Sequence, residues 1–166
     1  DSNVHGKVLN EIAASTDLLI KDYNSLSEAE KIKCLTSINK SLQENILSDD
    51  VYKDTIEVIQ AIKTIQHYNG EKGCNRYIIS QCNSALNVLE VYGLFLLSGW
   101  ERTAMHIDII PLFETIDDLQ HAERIMKELY ENEVYRKHLA LRQNKQTIML
   151  GFSDGTKDGG YLMANW

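Results

Sequence analysis

Two hydrophobic periods divide the chain near residue 70. Through residues 1–70 apolar side chains recur every three or four positions. Val4, Val8, Leu9 and Ile12 form one stripe, and Ile56, Ile59, Ile62 and Ile65 form another, the spacing of helices with one buried face. Between them Ser27 and Glu30 stand in capping-box order, with Ile32, Leu35, Ile38 and Leu42 following at helical spacing. Ser-Asp-Asp at 48–50 supplies a cap for a third helix, and Asn69-Gly70 supplies its stop. The pattern predicts a helical scaffold over residues 1–70.

Past Gly73 the pattern changes. The runs "RYIIS" (76–80), "IDIIPLF" (107–113) and "QTIML" (146–150) are short, apolar and read as buried strands. Between the first two, "SALNVLEVYGLFLLSG" predicts a helix apolar on most faces, capped by Ser84 and stopped by Gly99. After the second, an amphipathic helix turns Leu119, Ala122, Ile125, Met126 and Leu129 inward, and another helical stretch covers about 132–142. Met126 and Met149 are assigned to the core, and "GGYLMANW" begins a last helix. Strands separated by helices imply βαβ units and a parallel sheet with right-handed crossovers. The expected fold is a helix-rich α/β one, with residues 71–166 forming three consecutive βα units.

Composition narrows the function. A chain of 166 residues, 43% apolar, is sized for one domain with a core. A net charge of −7 lacks the basic footprint of a nucleic-acid binder. Cys34, Cys74 and Cys82 are odd in number and contain no C-x-x-C pair, which favours a reducing cytoplasm over a disulfide framework or zinc. The apolar stretch around "LEVYGLFLL" is too short to span a bilayer, and no signal peptide is visible. A start at Asp1 without methionine and an end at Trp166 inside a predicted helix give the expectation of a piece of a larger protein.

Parallel strands place their carboxyl ends on one edge, where α/β enzymes keep their chemistry. That edge would carry Gln81 and Asn83 after the first strand, Glu114 after the second, and Ser153-Asp154 after the third. On neighbouring strands Glu114 and Asp154 would stand about 5 Å apart. Two carboxylates without His or Cys suit a hard cation such as Mg²⁺ or Mn²⁺, which keeps waters for substrate oxygens to replace. The bland alternative is that both acids cap the helices that follow. "GFSDGTKDGG" (151–160) reads as a flexible glycine-rich turn that admits an anion, with Lys157 as a mobile positive charge; as a plain surface turn it would do nothing. "GFSDG" also fits a nucleophile elbow, but all five histidines, at 5, 67, 106, 121 and 138, precede Ser153. A calcium loop fails at Thr156 and Asn165, and a P-loop is absent. His121 and His138 read as surface or packing residues, and Glu101, Glu123, Glu128, Glu131 and Glu133 as a solvated face.

"PLFETIDDL" (111–119) and "MLGFSDGTKDGG" (149–160), with "RYIIS" upstream and "DSNVH" at the start, closely resemble the phosphoenolpyruvate carboxylase family. The resemblance implies a segment of a (β/α)₈ TIM-type barrel, from an enzyme that makes oxaloacetate and phosphate from phosphoenolpyruvate and bicarbonate with Mg²⁺ or Mn²⁺ and usually assembles as a homotetramer. It assigns the metal to Glu114 and Asp154, and bicarbonate to Lys157. Gly155 and Thr156 stand where many members have S-x in S-D-S-x-K-D, and Gly159-Gly160 where many have A-G. The V-H-P-T-E motif with the family's histidine and the glycine-rich arginine motif are not in this sequence. The 166 residues alone are therefore expected to be inactive. The competing expectation is a non-catalytic module for a divalent cation or small anion.

Overall fold

Three strands lie side by side in the order β1 (Arg76–Ile79), β2 (Asp108–Phe113), β3 (Met149–Leu150), and both pairings are parallel. Among the described residues seven α-helices surround them: α1 (Ser2–Ser15), α2 (Glu28–Thr36), α3 (Asp50–Asn69), α4 (Ala85–Leu97), α5 (Ile116–Glu131), α6 (Glu133–Leu141) and α7 (Phe152–Asn165). This is a computed structural model that describes residues 1–43, 47 and 49–165. The element order is that of a partial parallel barrel flanked by helices.

The helix starts follow their local chemistry. Ser27 and Glu30 form the reciprocal capping box of α2. Asp49 caps α3 by accepting from Val51 N–H, while Ser48 of the expected cap lies outside the described residues. The stripe on α2 does not run as far as its spacing predicts. Arg102 donates to the carbonyls of Thr36 and Ile38 at 2.9 and 2.7 Å, satisfying carbonyls at the end of α2 from outside. Ile38 is still buried, and Leu42 is tied to the end of α4 by its N–H to Leu97 O at 2.7 Å, but neither is helical.

Helix α4 is the centre of the molecule and packs against α1, α2, α3, α5 and β2. All of its residues except Leu86 and Asn87 are buried. Each fully buried Leu or Phe there contributes roughly 1.5–3 kcal/mol. Glu90 is the one charged side chain on this helix, and burial pushes its carboxyl above the usual range. Its oxygens accept from Tyr23 O–H at 3.2 Å and, more distantly, from Asn87 Nδ2 at 3.5 Å, partners that offset the desolvation.

The sheet is thinner than its apolar runs predict. β1 pairs with β2 over residues 108–111, and β3 pairs only with Leu112 and Phe113. The third strand shrinks from 146–150 to two residues because Gln146 Nε2 donates to Ile109 O at 2.9 Å, replacing a ladder bond with a side-chain one. Neither outer strand is fully buried. Ile78 of β1 is 49% exposed and Leu150 of β3 is 63% exposed. Met126 is core as expected, but Met149 is 43% exposed, because β3 is an edge with nothing paired beyond it among the described residues.

Candidate functional site at the carboxyl edge of the sheet

Glu114 follows the last residue of β2 directly, and Asp154 is the fourth residue after Leu150 of β3. The parallel ladder places both at the same edge: Phe113 pairs with Leu150, and Gly151 N–H continues the pairing by donating to Phe113 O at 2.8 Å. A Cβ built on Gly151 would lie 3.1 Å from Glu114 Cα, 3.3 Å from Glu114 Cγ and 3.4 Å from Asp154 Oδ2. Glu114 and the Asp154 carboxylate thus flank one small space, kept open because residue 151 has no side chain.

The glycine-rich stretch itself differs from expectation. It is not a turn: α7 begins at Phe152, immediately after the strand end, and passes Gly155 with helical bonding from Gly155 N–H to Gly151 O at 2.8 Å. Only Gly160, at φ +79°, breaks the helix. The glycines serve close approach instead of looseness. At Gly159 a Cβ would clash with the Ile116 side chain, so this face of α7 lies directly on the start of α5.

That docking brings in Asp158, whose carboxylate accepts from Ile116 N–H at 2.9 Å. With Asp118 accepting from Glu114 and Thr115 N–H, and Thr115 Oγ1 accepting from Asp118 N–H, four donors at the start of α5 are satisfied. The carboxylate of Glu114 has no part in this cap. It turns instead toward the end of β1, where Gln81 N–H lies 3.4 Å from Glu114 Oε2. The bland capping role therefore belongs to Asp118 and Asp158, and Glu114 is left at the edge.

Lys157 stands one turn along α7, its Nζ 4.0 Å from Asp154 Oδ1. Both side chains are open to solvent, at 79% and 52% exposure, so the pair adds little stability. What it provides is a mobile positive charge beside the Asp154 carboxylate. Cys82 cannot act as a nucleophile here, because burial pushes its thiol up to about 12. Among the described residues no group of three or more His, Cys, Asp or Glu side chains gathers to hold a metal. A site of two oxygen donors fits a hard cation that keeps its waters, and does not fit zinc or copper.

The remaining expectations sort plainly. His121 is exposed and bonded to its own turn through Asp117 O. His138 is buried between Tyr92 and Tyr135, as a packing residue. Ser153 Oγ contacts only the neighbouring Asp154 at 3.4 Å among the described residues, with no histidine in reach, so the nucleophile elbow fails in space as it does in sequence. Among the described residues no helix is long and apolar enough to cross a membrane. Gln81 and Asp158 were visible as polar residues near strand ends, but their contacts follow from tertiary docking.

Fold and edge together define a segment of a parallel α/β barrel with paired carboxylates at its strand ends. The family model described as phosphoenolpyruvate carboxylase matches residues 1–166, and the chain belongs to that family. It is 34% identical over 173 residues to the phosphoenolpyruvate carboxylase of Nitrosomonas eutropha, covering 99% of this chain and 18% of that protein. To that of Mycobacterium leprae it is 36% identical over 177 residues, covering all of this chain and 19% of the relative. To that of Gloeobacter violaceus it is 32% identical over 176 residues, with the same full coverage of this chain and 18% of the relative. The chain spans less than a fifth of the length of these curated relatives.

Proposed function

We propose that this chain is the part of a phosphoenolpyruvate carboxylase that carries its divalent cation, in an enzyme forming oxaloacetate and phosphate from phosphoenolpyruvate and bicarbonate. The observation that carries the proposal is the placement of Glu114 and Asp154 on either side of Gly151 at one sheet edge, with α5 capped by other residues. Family membership supplies the reaction.

Glu114 and Asp154 would hold Mg²⁺ or Mn²⁺, which when bound supplies positive charge for substrate oxygens that grow more negative. In the reaction a bicarbonate oxygen attacks phosphorus, and the bond from phosphorus to the enol oxygen breaks to leave carboxyphosphate and the enolate of pyruvate. Loss of phosphate from carboxyphosphate gives CO₂, and the enolate carbon bonds to it to give oxaloacetate. Lys157, on a helix and free to swing at its tip, attracts bicarbonate and favours its anionic form near the edge. Gly151 leaves room for substrate where any side chain would crowd Glu114. The proton-handling histidine and the arginines that grip phosphoenolpyruvate belong to family motifs not found in these residues, so the 166 residues alone would not turn over. A cytoplasmic homotetramer is the setting the family and the unpaired thiols favour.

The test is an assay of the full-length protein with phosphoenolpyruvate, bicarbonate and Mg²⁺, following oxaloacetate and phosphate together. Equal amounts of the two products, abolished by chelation, are expected. Cation binding with no oxaloacetate at any substrate concentration would replace this proposal with the non-catalytic binding module.

A further inference from the structure

We infer that Ser2, Gln81 and Asn87 form a clamp that positions the Glu114 carboxylate, and that this clamp sets how tightly the edge binds a divalent cation. The inference rests on the proposal above that Glu114 holds the cation. Glu114 can be anchored by its backbone, since Asp118 accepts from its N–H, but that leaves the carboxylate free to rotate. The backbone donor that reaches it is Gln81 N–H, from the end of the neighbouring strand.

To aim that N–H along the edge, Gln81 adopts φ +55°, the left-handed region. For a residue other than glycine this is strained backbone, and it persists only where the surroundings hold it. They hold it from two sides. On one, Ser2, only 5% exposed, donates from Oγ to Gln81 O at 2.7 Å and from its N–H to Ser80 O at 3.3 Å, a contact bridging 79 positions in the sequence. The Gln81 carboxamide also sits 2.7 Å from that of Asn3. On the other side, Asn87 Oδ1 accepts from the N–H groups of Asn83 and Ser84 at 3.1 and 3.2 Å, pinning the rest of the turn to α4.

Capping α4 explains the contacts of Asn83 and Ser84 but makes no use of a left-handed Gln81. Nor does tying α1 to the sheet, which Ser2 N–H does at Ser80. The strained residue is the one whose amide faces Glu114. Residues around a metal-binding carboxylate that fix its orientation typically change metal affinity 10–100-fold when lost.

The test measures Mn²⁺ affinity of the full-length protein by the electron paramagnetic resonance signal of free Mn²⁺, alongside the thermal midpoint. Gln81→Gly keeps the N–H and relieves the strain; Gln81→Pro removes the N–H and, with φ fixed at about −65°, also abolishes the left-handed turn. Asn87→Ala releases the turn while leaving the Gln81 N–H in place; Glu114→Ala is the reference. Expected are wild-type affinity for Gln81→Gly and about tenfold weaker binding for Gln81→Pro and Asn87→Ala. Glu114→Ala should bind far more weakly than either. If Glu114→Ala loses Mn²⁺ while Asn87→Ala and a folded Gln81→Pro bind as wild type, the clamp is wrong and the metal assignment stands. If Glu114→Ala binds as wild type, the metal assignment fails and takes the clamp with it.

Discussion

The two ends of the sheet treat charge in opposite ways. At the amino end Arg142, whose side chain is 11% exposed, gives Nε to Asp108 and Nη1 to Glu71, both at 2.7 Å, while His106 Nδ1 lies 3.7 Å from the other Glu71 oxygen. Acids there are matched by a fixed guanidinium that ties the end of α6 to β2 and to the turn before β1. At the carboxyl end Glu114 and Asp154 stand on either side of Gly151, and their described contacts are a backbone N–H at 3.4 Å from Glu114 and, for Asp154, the Ser153 hydroxyl at 3.4 Å and an exposed lysine at 4.0 Å. Compensated charge makes a strut. Charge left uncompensated at a strand end is available to a ligand, which is why barrels keep chemistry at one end and stability at the other.

Replacing Glu114 or Asp154 by alanine in the full-length enzyme is the largest test of this contrast. Metal-dependent turnover should fall by about three orders of magnitude, the scale of losing a principal electrostatic stabiliser, with circular dichroism and melting unchanged. Arg142→Ala should do the reverse. Stranding Asp108 and Glu71 costs about 3 kcal/mol of stability by denaturant titration, and Mn²⁺ affinity stays as it was.

A pH titration sharpens the amino-end half of the comparison, because His138 lies buried close to that strut. Burial, with the Arg142 charge adding to it, holds its imidazole at about 4, below the ordinary value of 6.5. The unfolded chain therefore takes up the proton first as pH falls. The stability tied to a neutral His138 is fully present above about 6.5 and is lost as pH drops toward about 4. Between pH 7 and pH 5 this amounts to about 2 kcal/mol, measured by urea unfolding, and His138→Phe should flatten that part of the slope. His5, held at about 4 chiefly by burial against Tyr77, adds a loss of the same sign. Smallest is Lys157→Ala: an exposed point charge, its removal should raise the KM for bicarbonate about tenfold while that for phosphoenolpyruvate stays within about twofold.

Features written in local sequence were readable from it. The capping box at Ser27 and Glu30, the all-round burial of α4 and the placement of Glu114 and Asp154 at strand ends each depend on a few adjacent residues. What sequence hid depends on partners far along the chain. Gln146 crosses to Ile109 and shortens β3; Arg102 ends α2 from across the molecule. The glycines of 151–160 read as flexibility because a turn and a close helix contact use the same residue, and only the position of Ile116 decides between them. The left-handed Gln81 carries no glycine or asparagine to announce it.

That Glu114 and Asp154 act on a single cation is tested most directly by a double-mutant cycle on Mn²⁺ affinity, using Glu114→Ala, Asp154→Ala and both together in the full-length protein. A shared ion predicts strong coupling: either single substitution removes most of the affinity, and the double variant binds scarcely worse than the weaker single. Independent, additive losses, or a single variant that binds as wild type, would contradict a shared site at the carboxyl edge.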